Sequence, residues 1–189
     1  MSAYDFVHLT LHALGGEIKG KTKLQKTMYF VGLLTETLDD LNYRPHFYGP
    51  YSAEVAGAVD RLRSLGFVEQ NITGRGSVDQ AGFEVARYDF TLNEQGKRIA
   101  QVKAEKHPEE WQKIQNAIRF LQRADDLDYV KLSIAAKTYF MIGEKKEVAS
   151  EEGLAQLANK FGWSVTPQQV KEAGHFLAKL GLVEIVDSE

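Results

Sequence analysis

A mainly helical chain with one small β-hairpin, arranged as two unequal copies of a single helical unit, is predicted from three observations. First, Lys26-Thr27-Met28-Tyr29-Phe30-Val31-Gly32 returns as Lys137-Thr138-Tyr139-Phe140-Met141-Ile142-Gly143. Second, Val55, Ala58, Leu62, Leu65, Gly66, Val68 and Glu69 return in the same order and spacing as Val170, Ala173, Leu177, Leu180, Gly181, Val183 and Glu184. Third, one stretch, Phe67 to Thr91, has the strand–glycine-rich loop–strand make-up of a hairpin. Self-similarity of this kind sets the unit of folding. Function is then sought where the copies differ, in loops and charges.

The first helix is expected over residues 3–14, where Phe6, Val7, Leu9, Leu11 and Leu14 fall at amphipathic spacing and Gly15-Gly16 stops it. A second helix opens at Thr22, with Thr22-x-x-Gln25 read as a capping box and Leu24, Met28, Val31 and Leu38 as its inward stripe. The segment Tyr43 to Tyr51 is aromatic, punctuated by proline and irregular. Gly49-Pro50 makes a turn, Ser52 caps a third helix that runs to Leu65 with Val55, Val59 and Leu62 inward, and Gly66 supplies the left-handed closing position. Phe67–Thr73 and Phe83–Thr91 are the hairpin strands, with Gly74-Arg75-Gly76 and Gly82 in the loop between them. Three helices and a hairpin are the layout of a winged helix, here over residues 1–92.

Connecting helices fill 93–127, interrupted at His107-Pro108. The second of them carries Trp111, Ile114, Ile118 and Leu121 as a stripe suited to intrachain packing or to a homodimer seam. A second, reduced winged-helix-like domain occupies 128–189. Ser150 and Thr166-Pro167-x-Gln169 cap its helices, and Leu182–Val186 forms a closing strand after which no room remains for a second hairpin.

Composition narrows the classes. The chain has 189 residues, 43% of them apolar, with a formal net charge of -3 and no cysteine. No apolar run reaches the ~20 residues of a membrane helix, and Asp5, His8 and His12 stand where a signal peptide needs an unbroken apolar stretch. A cytoplasmic protein without disulfides, thiolate metal sites or a cysteine nucleophile is expected. The charge argues against coating nucleic acid by bulk attraction, so any anion binding is local.

Lys19, Lys21, Lys23 and Lys26 crowd the mouth of the second helix. Cations there oppose the helix dipole, typically by ~0.3–1 kcal/mol each. The free N–H groups already attract anions, so the cluster reads as a phosphate seat. The matched region of the second copy has Asp126, Asp128 and Lys131 instead. Lysines that simply extend into solvent are the plainer alternative. Ser52 and Arg61 at the third helix and Arg75 at the hairpin tip complete a nucleic-acid-binding set. Against base reading, that helix shows Glu54 and Asp60 outward, where Arg, Asn or Gln would suit a groove. His8 and His12, four apart, lack a third metal ligand, and no carboxylate has an evident acid–base partner. No catalytic residue, cofactor or metal is expected, and the protein is read as a non-enzyme.

Lys21-Thr22-Lys23-Leu24-Gln25-Lys26, then Tyr29-Phe30, then Tyr48-Gly49-Pro50-Tyr51-Ser52, resembles the prokaryotic YwgA-like family and, more distantly, the Panacea domain of SocA-type antitoxins. The resemblance covers about the first half of the chain. It implies a helical or winged-helix module used in regulation or in holding a partner protein, with no catalytic residues to carry over. Two functions follow. One is a DNA-binding transcription regulator that grips duplex phosphates through Lys19, Lys21, Lys23, Lys26, Ser52, Arg61 and Arg75. The other is an antitoxin-like or adaptor-like module that docks a partner protein on Tyr43, Phe47, Tyr48 and Tyr51.

Overall fold

The computed structural model describes residues 1–73, 86–124, 128–145 and 148–186. Within them the protein is mainly helical with one small antiparallel sheet. The helices are α1 (Ala3–Ala13), α2 (Lys21–Leu34), α3 (Ala53–Ser64), α4 (Glu94–Lys106), α5 (Pro108–Ala124), α6 (Tyr129–Lys145), α7 (Glu151–Lys160) and α8 (Pro167–Lys179), and a short 3-10 turn spans Asp39–Leu41. The strands are β1 (Glu17–Lys19), β2 (Val68–Thr73) and β3 (Arg87–Leu92), in the order β1-β3-β2. No helix among the described residues is long and apolar enough to cross a membrane.

Most boundaries follow local chemistry. Ser52, Asn93, Ser150 and Thr166 each accept a backbone N–H at a helix start, and Thr166 with Gln169 forms a full capping box behind Pro167. Close approach fixes Gly96, where a Cβ would stand 2.3 Å from the Phe67 carbonyl oxygen. His8 lies beside it, fully buried, with Nε2 2.8 Å from the Gly96 carbonyl oxygen and its ring stacked on Phe67. Burial first, and the Lys103 ammonium second, lower its pKa to about 4.

Three expectations are corrected. α2 begins at Lys21 behind Gly20 (φ 95), with no side-chain cap, so Thr22 lies inside the helix and no Thr22–Gln25 capping box forms. The Gly20 N–H instead extends the sheet by donating to the Tyr88 carbonyl, which ties the helix start directly to β3. That strand, β1, was not expected: three residues are too short for a periodic signal, yet Ile18 is buried opposite Phe90. Leu182–Val186 forms no strand, because no neighbouring strand among the described residues offers it a ladder. The loop positions Gly74, Arg75, Gly76 and Gly82, and Phe83 at the start of the expected return strand, lie outside the described residues.

The α5 stripe packs within the chain. Ile114, Ile118 and Leu121 are buried and Trp111 is half-buried in a core that also takes residues from α1, α2, α3, α6 and α8, so a dimer seam built on that stripe is withdrawn. A smaller cluster of Met141, Leu154, Ala158, Trp163, Val165 and Val170 fills the space between α6, α7 and α8.

Candidate functional site

The signature residues of the first half converge on one turn. Leu24, Gln25 and Lys26 are all buried on α2. Gln25 clasps the peptide groups at Ser52: the Ser52 N–H donates to Oε1 at 3.0 Å, and Nε2 donates to the Ser52 carbonyl at 2.9 Å. Tyr43 donates its hydroxyl to the Gln25 carbonyl at 2.8 Å. Lys26 Nζ donates to the Pro50 carbonyl at 2.5 Å. Ser52 Oγ donates to the Leu41 carbonyl and accepts the Val55 N–H that starts α3. Buried polar groups without partners are costly, so this set fixes the path of the backbone from Leu41 to Ser52.

The second half grips the same turn from the other side. Trp163 Nε1 donates to the His46 carbonyl at 2.6 Å, and Ser133 Oγ donates to the Tyr48 carbonyl at 3.1 Å. Arg44 and Tyr51 exchange two backbone hydrogen bonds of 2.9 Å across the base of the loop. Gly49 turns the chain at φ 99, and a Cβ there would lie 3.0 Å from Lys137 Cγ and 3.3 Å from Lys26 Nζ. At the tip, Phe47 and Tyr48 are 80% and 69% exposed, while Tyr51 is half-buried with its ring 5.0 Å from that of His46. Tyr43, 8% exposed with its hydroxyl engaged, belongs to the support and not to the docking face.

Lys26 and Lys137 are matched positions of the repeated sequence, and they meet beneath the turn. Lys26 is 2% exposed and has no carboxylate within ion-pair distance among the described residues. Burial, with repulsion from Lys137 as a second cause, lowers its pKa to about 7. Burial lowers Lys137 as well.

The lysine cluster at the mouth of α2 is thereby divided. Lys26 points into the protein. Lys19 is exposed and stands 3.5 Å from Glu17, Lys21 is exposed with its ammonium 3.9 Å from the centre of the Tyr88 ring, and Lys23 is half-buried. Ser52 is fully buried with its hydroxyl spent on the cap, so neither it nor Lys26 presents a group to a ligand. Arg61 lies 4.9 Å from the centre of the Tyr4 ring, and Arg75 is outside the described residues. On α3, Asp60 holds Arg63 at 3.0 Å, and Glu54 accepts from Asn42, which lowers the Glu54 pKa. Sequence reasoning missed Gln25, Ser133 and Trp163 as supports of the turn.

No family model matches the chain. The uncharacterized protein YwgA of Bacillus subtilis (strain 168) is similar to it, at 35% identity over 81 residues. That stretch covers 43% of this chain and 44% of YwgA, so the chain spans less than half the length of this curated relative.

Proposed function

We propose that this protein is a non-enzymatic interaction module, adaptor-like or antitoxin-like, which docks a partner protein on the aromatic turn tipped by Phe47 and Tyr48. The observation that carries this reading is two large rings facing solvent on a backbone pinned by both halves of the molecule. Exposed aromatic side chains are frequent interface anchors. A turn already held in place loses little further freedom on binding, so more of the contact energy remains as affinity. The Lys21–Lys26 and Tyr48–Ser52 stretches, which resemble the YwgA-like family and only distantly the Panacea domain of SocA-type antitoxins, contribute to this turn, which favours a partner-holding role.

The test is affinity capture with the wild type and with Phe47→Ala/Tyr48→Ala, followed by binding isotherms on the purified partner. Loss of about thirtyfold or more in affinity is expected, the scale of an anchor pair. Equal binding by both proteins overturns the reading.

A second reading is a winged-helix DNA-binding regulator. It is favoured by the order helix–strand–helix–helix–strand–strand and by the β1-β3-β2 sheet, whose strand β2 follows α3 and packs beside it. Its phosphate contacts would fall to Lys19, Lys21, Lys23 and Arg61. Titration of a random duplex at low and moderate salt tests it: affinity falling steeply with salt, and flattened by charge reversal at Lys21 and Lys23, is the expected signature.

A further inference from the structure

We infer that the solvent face of α5 is a second binding surface, one that takes single-stranded nucleic acid. This does not depend on the aromatic turn. Glu109 and Glu110 lie in the first turn of the helix and Asp125, Asp126 and Asp128 follow it in sequence, but residues 111–124 contain no carboxylate. That stretch carries Lys113, Arg119 and Arg123 in a chain whose net charge is -3. Ile114, Ala117, Ile118 and Leu121 bury the inner stripe. The opposite side presents Gln112, Lys113, Asn116, Arg119, Phe120, Gln122 and Arg123 to solvent.

None of the three cations lies within ion-pair distance of a carboxylate among the described residues. Arg119 Nη2 and Gln112 Nε2 both donate to Asn116 Oδ1, at 2.5 and 3.0 Å, so the polar side chains are linked along the ridge. Shallow grooves flank it. One, of about 540 Å³, is lined by Leu34, Lys113, Asn116, Arg119, Phe120 and Arg123. The other, of about 340 Å³, adds Gln112, Gln115 and Gln122. Every charged residue lining either groove is cationic.

Charge complementarity selects a polyanion. Amide, guanidinium and ammonium donors on one face suit phosphate oxygens and base edges. Phe120, exposed between Arg119 and Arg123, offers a ring on which an unpaired base stacks. A cationic groove with an aromatic platform is the arrangement by which proteins hold single strands, whereas a duplex keeps its bases from such a ring.

The experiment is fluorescence anisotropy of a labelled thymidine oligonucleotide with the full-length protein, at low and near-physiological salt. Binding should weaken as salt rises. Arg119→Glu/Arg123→Glu should reduce affinity at least tenfold and lower the salt slope by about 1.4, two released counterion contacts on a single strand. Phe120→Ala should cost about fivefold to a hundredfold with the slope unchanged. Arg119→Gln/Arg123→Gln, checked by circular dichroism for an unaltered fold, serves if the charge reversal fails to fold. Phe47→Ala/Tyr48→Ala should bind as the wild type does. Any of four results overturns the inference: no binding at low salt; equal competition by unlabelled duplex; equal competition by poly-glutamate; or loss on charge reversal at Lys21 and Lys23 while the Arg119/Arg123 variants bind normally.

Discussion

At the end of α3 and again at the end of α8, the chain closes in the same way. Gly66 and Gly181 take φ values of 73 and 67. Their N–H groups donate to Arg63 and Ala178, and the following N–H groups, of Phe67 and Leu182, donate to Leu62 and Leu177. Both ends are therefore Schellman closures. Beyond them the copies part. Val68 enters β2, paired with Leu92 of β3 and buried, while Val183 is half-buried and makes no ladder. Equal local sequence yields equal helix endings, but a strand exists only where another strand receives its backbone groups. The same contrast runs through the α2–α6 pair. Gln25 latches the turn in one copy; its counterpart under the repeat, Ala136, is a buried apolar residue with no side chain to donate.

The largest way to sharpen that contrast is to place a charge at each matched valine. Val68→Asp should destabilise by about 3–5 kcal/mol, the cost of an uncompensated buried charge, and Val183→Asp by much less. Urea unfolding of both variants checks it, and equal losses would mean that the second copy is as tightly ordered as the first. Next, Gln25→Ala should cost about 2–4 kcal/mol by stripping partners from the buried Ser52 backbone, measured the same way.

Third is pH. The Lys26 amine, lowered to about 7 in the fold, is neutral between about pH 7 and the ordinary lysine range, whereas the unfolded chain stays protonated there. The unfolded state then binds more protons, so stability rises with pH across that window by up to about 1.4 kcal/mol per unit. Below it the full cost of the buried charge is present. Lys26→Met should remove most of the slope, leaving the smaller part that belongs to Lys137, and denaturation midpoints at several pH values above 7 decide the matter. Smallest is a pair of opposite sign. A Cβ on Gly32 meets Leu41 and Leu38 at 3.0 and 3.3 Å, whereas its repeat partner Gly143 faces open space. Gly32→Ala should lower stability by about 1–2 kcal/mol, and Gly143→Ala should raise it by about 0.5–1 kcal/mol through helix propensity, read from thermal midpoints.

Helices carried by repetition, capping residues and apolar spacing were legible in advance: Ser52, Ser150 and Thr166 start helices, and Val55, Val59 and Leu62 are buried. Failures came where a residue had two possible employers. Thr22-x-x-Gln25 has the spacing of a capping box, but the glutamine bonds a peptide group 27 residues away, which no local pattern records. Lys26 was grouped with Lys19, Lys21 and Lys23 because they are near in sequence, yet Lys19 lies on β1, the other three spread around the axis of α2, and only Lys26 turns inward. Within the aromatic segment, composition marked Tyr43, Phe47, Tyr48 and Tyr51 alike, and burial separated them.

Helical class, the two glycine closures and the caps follow from sequence alone, because each rests on residues within a turn or two of one another. The β1 strand, the clasp of Gln25 on Ser52, the meeting of Lys26 with Lys137 and the pinning of the turn by Trp163 were decided only by the tertiary structure. Those contacts join residues far apart in the chain, and the free energy of burying and satisfying their polar groups exists only after the two copies have packed together.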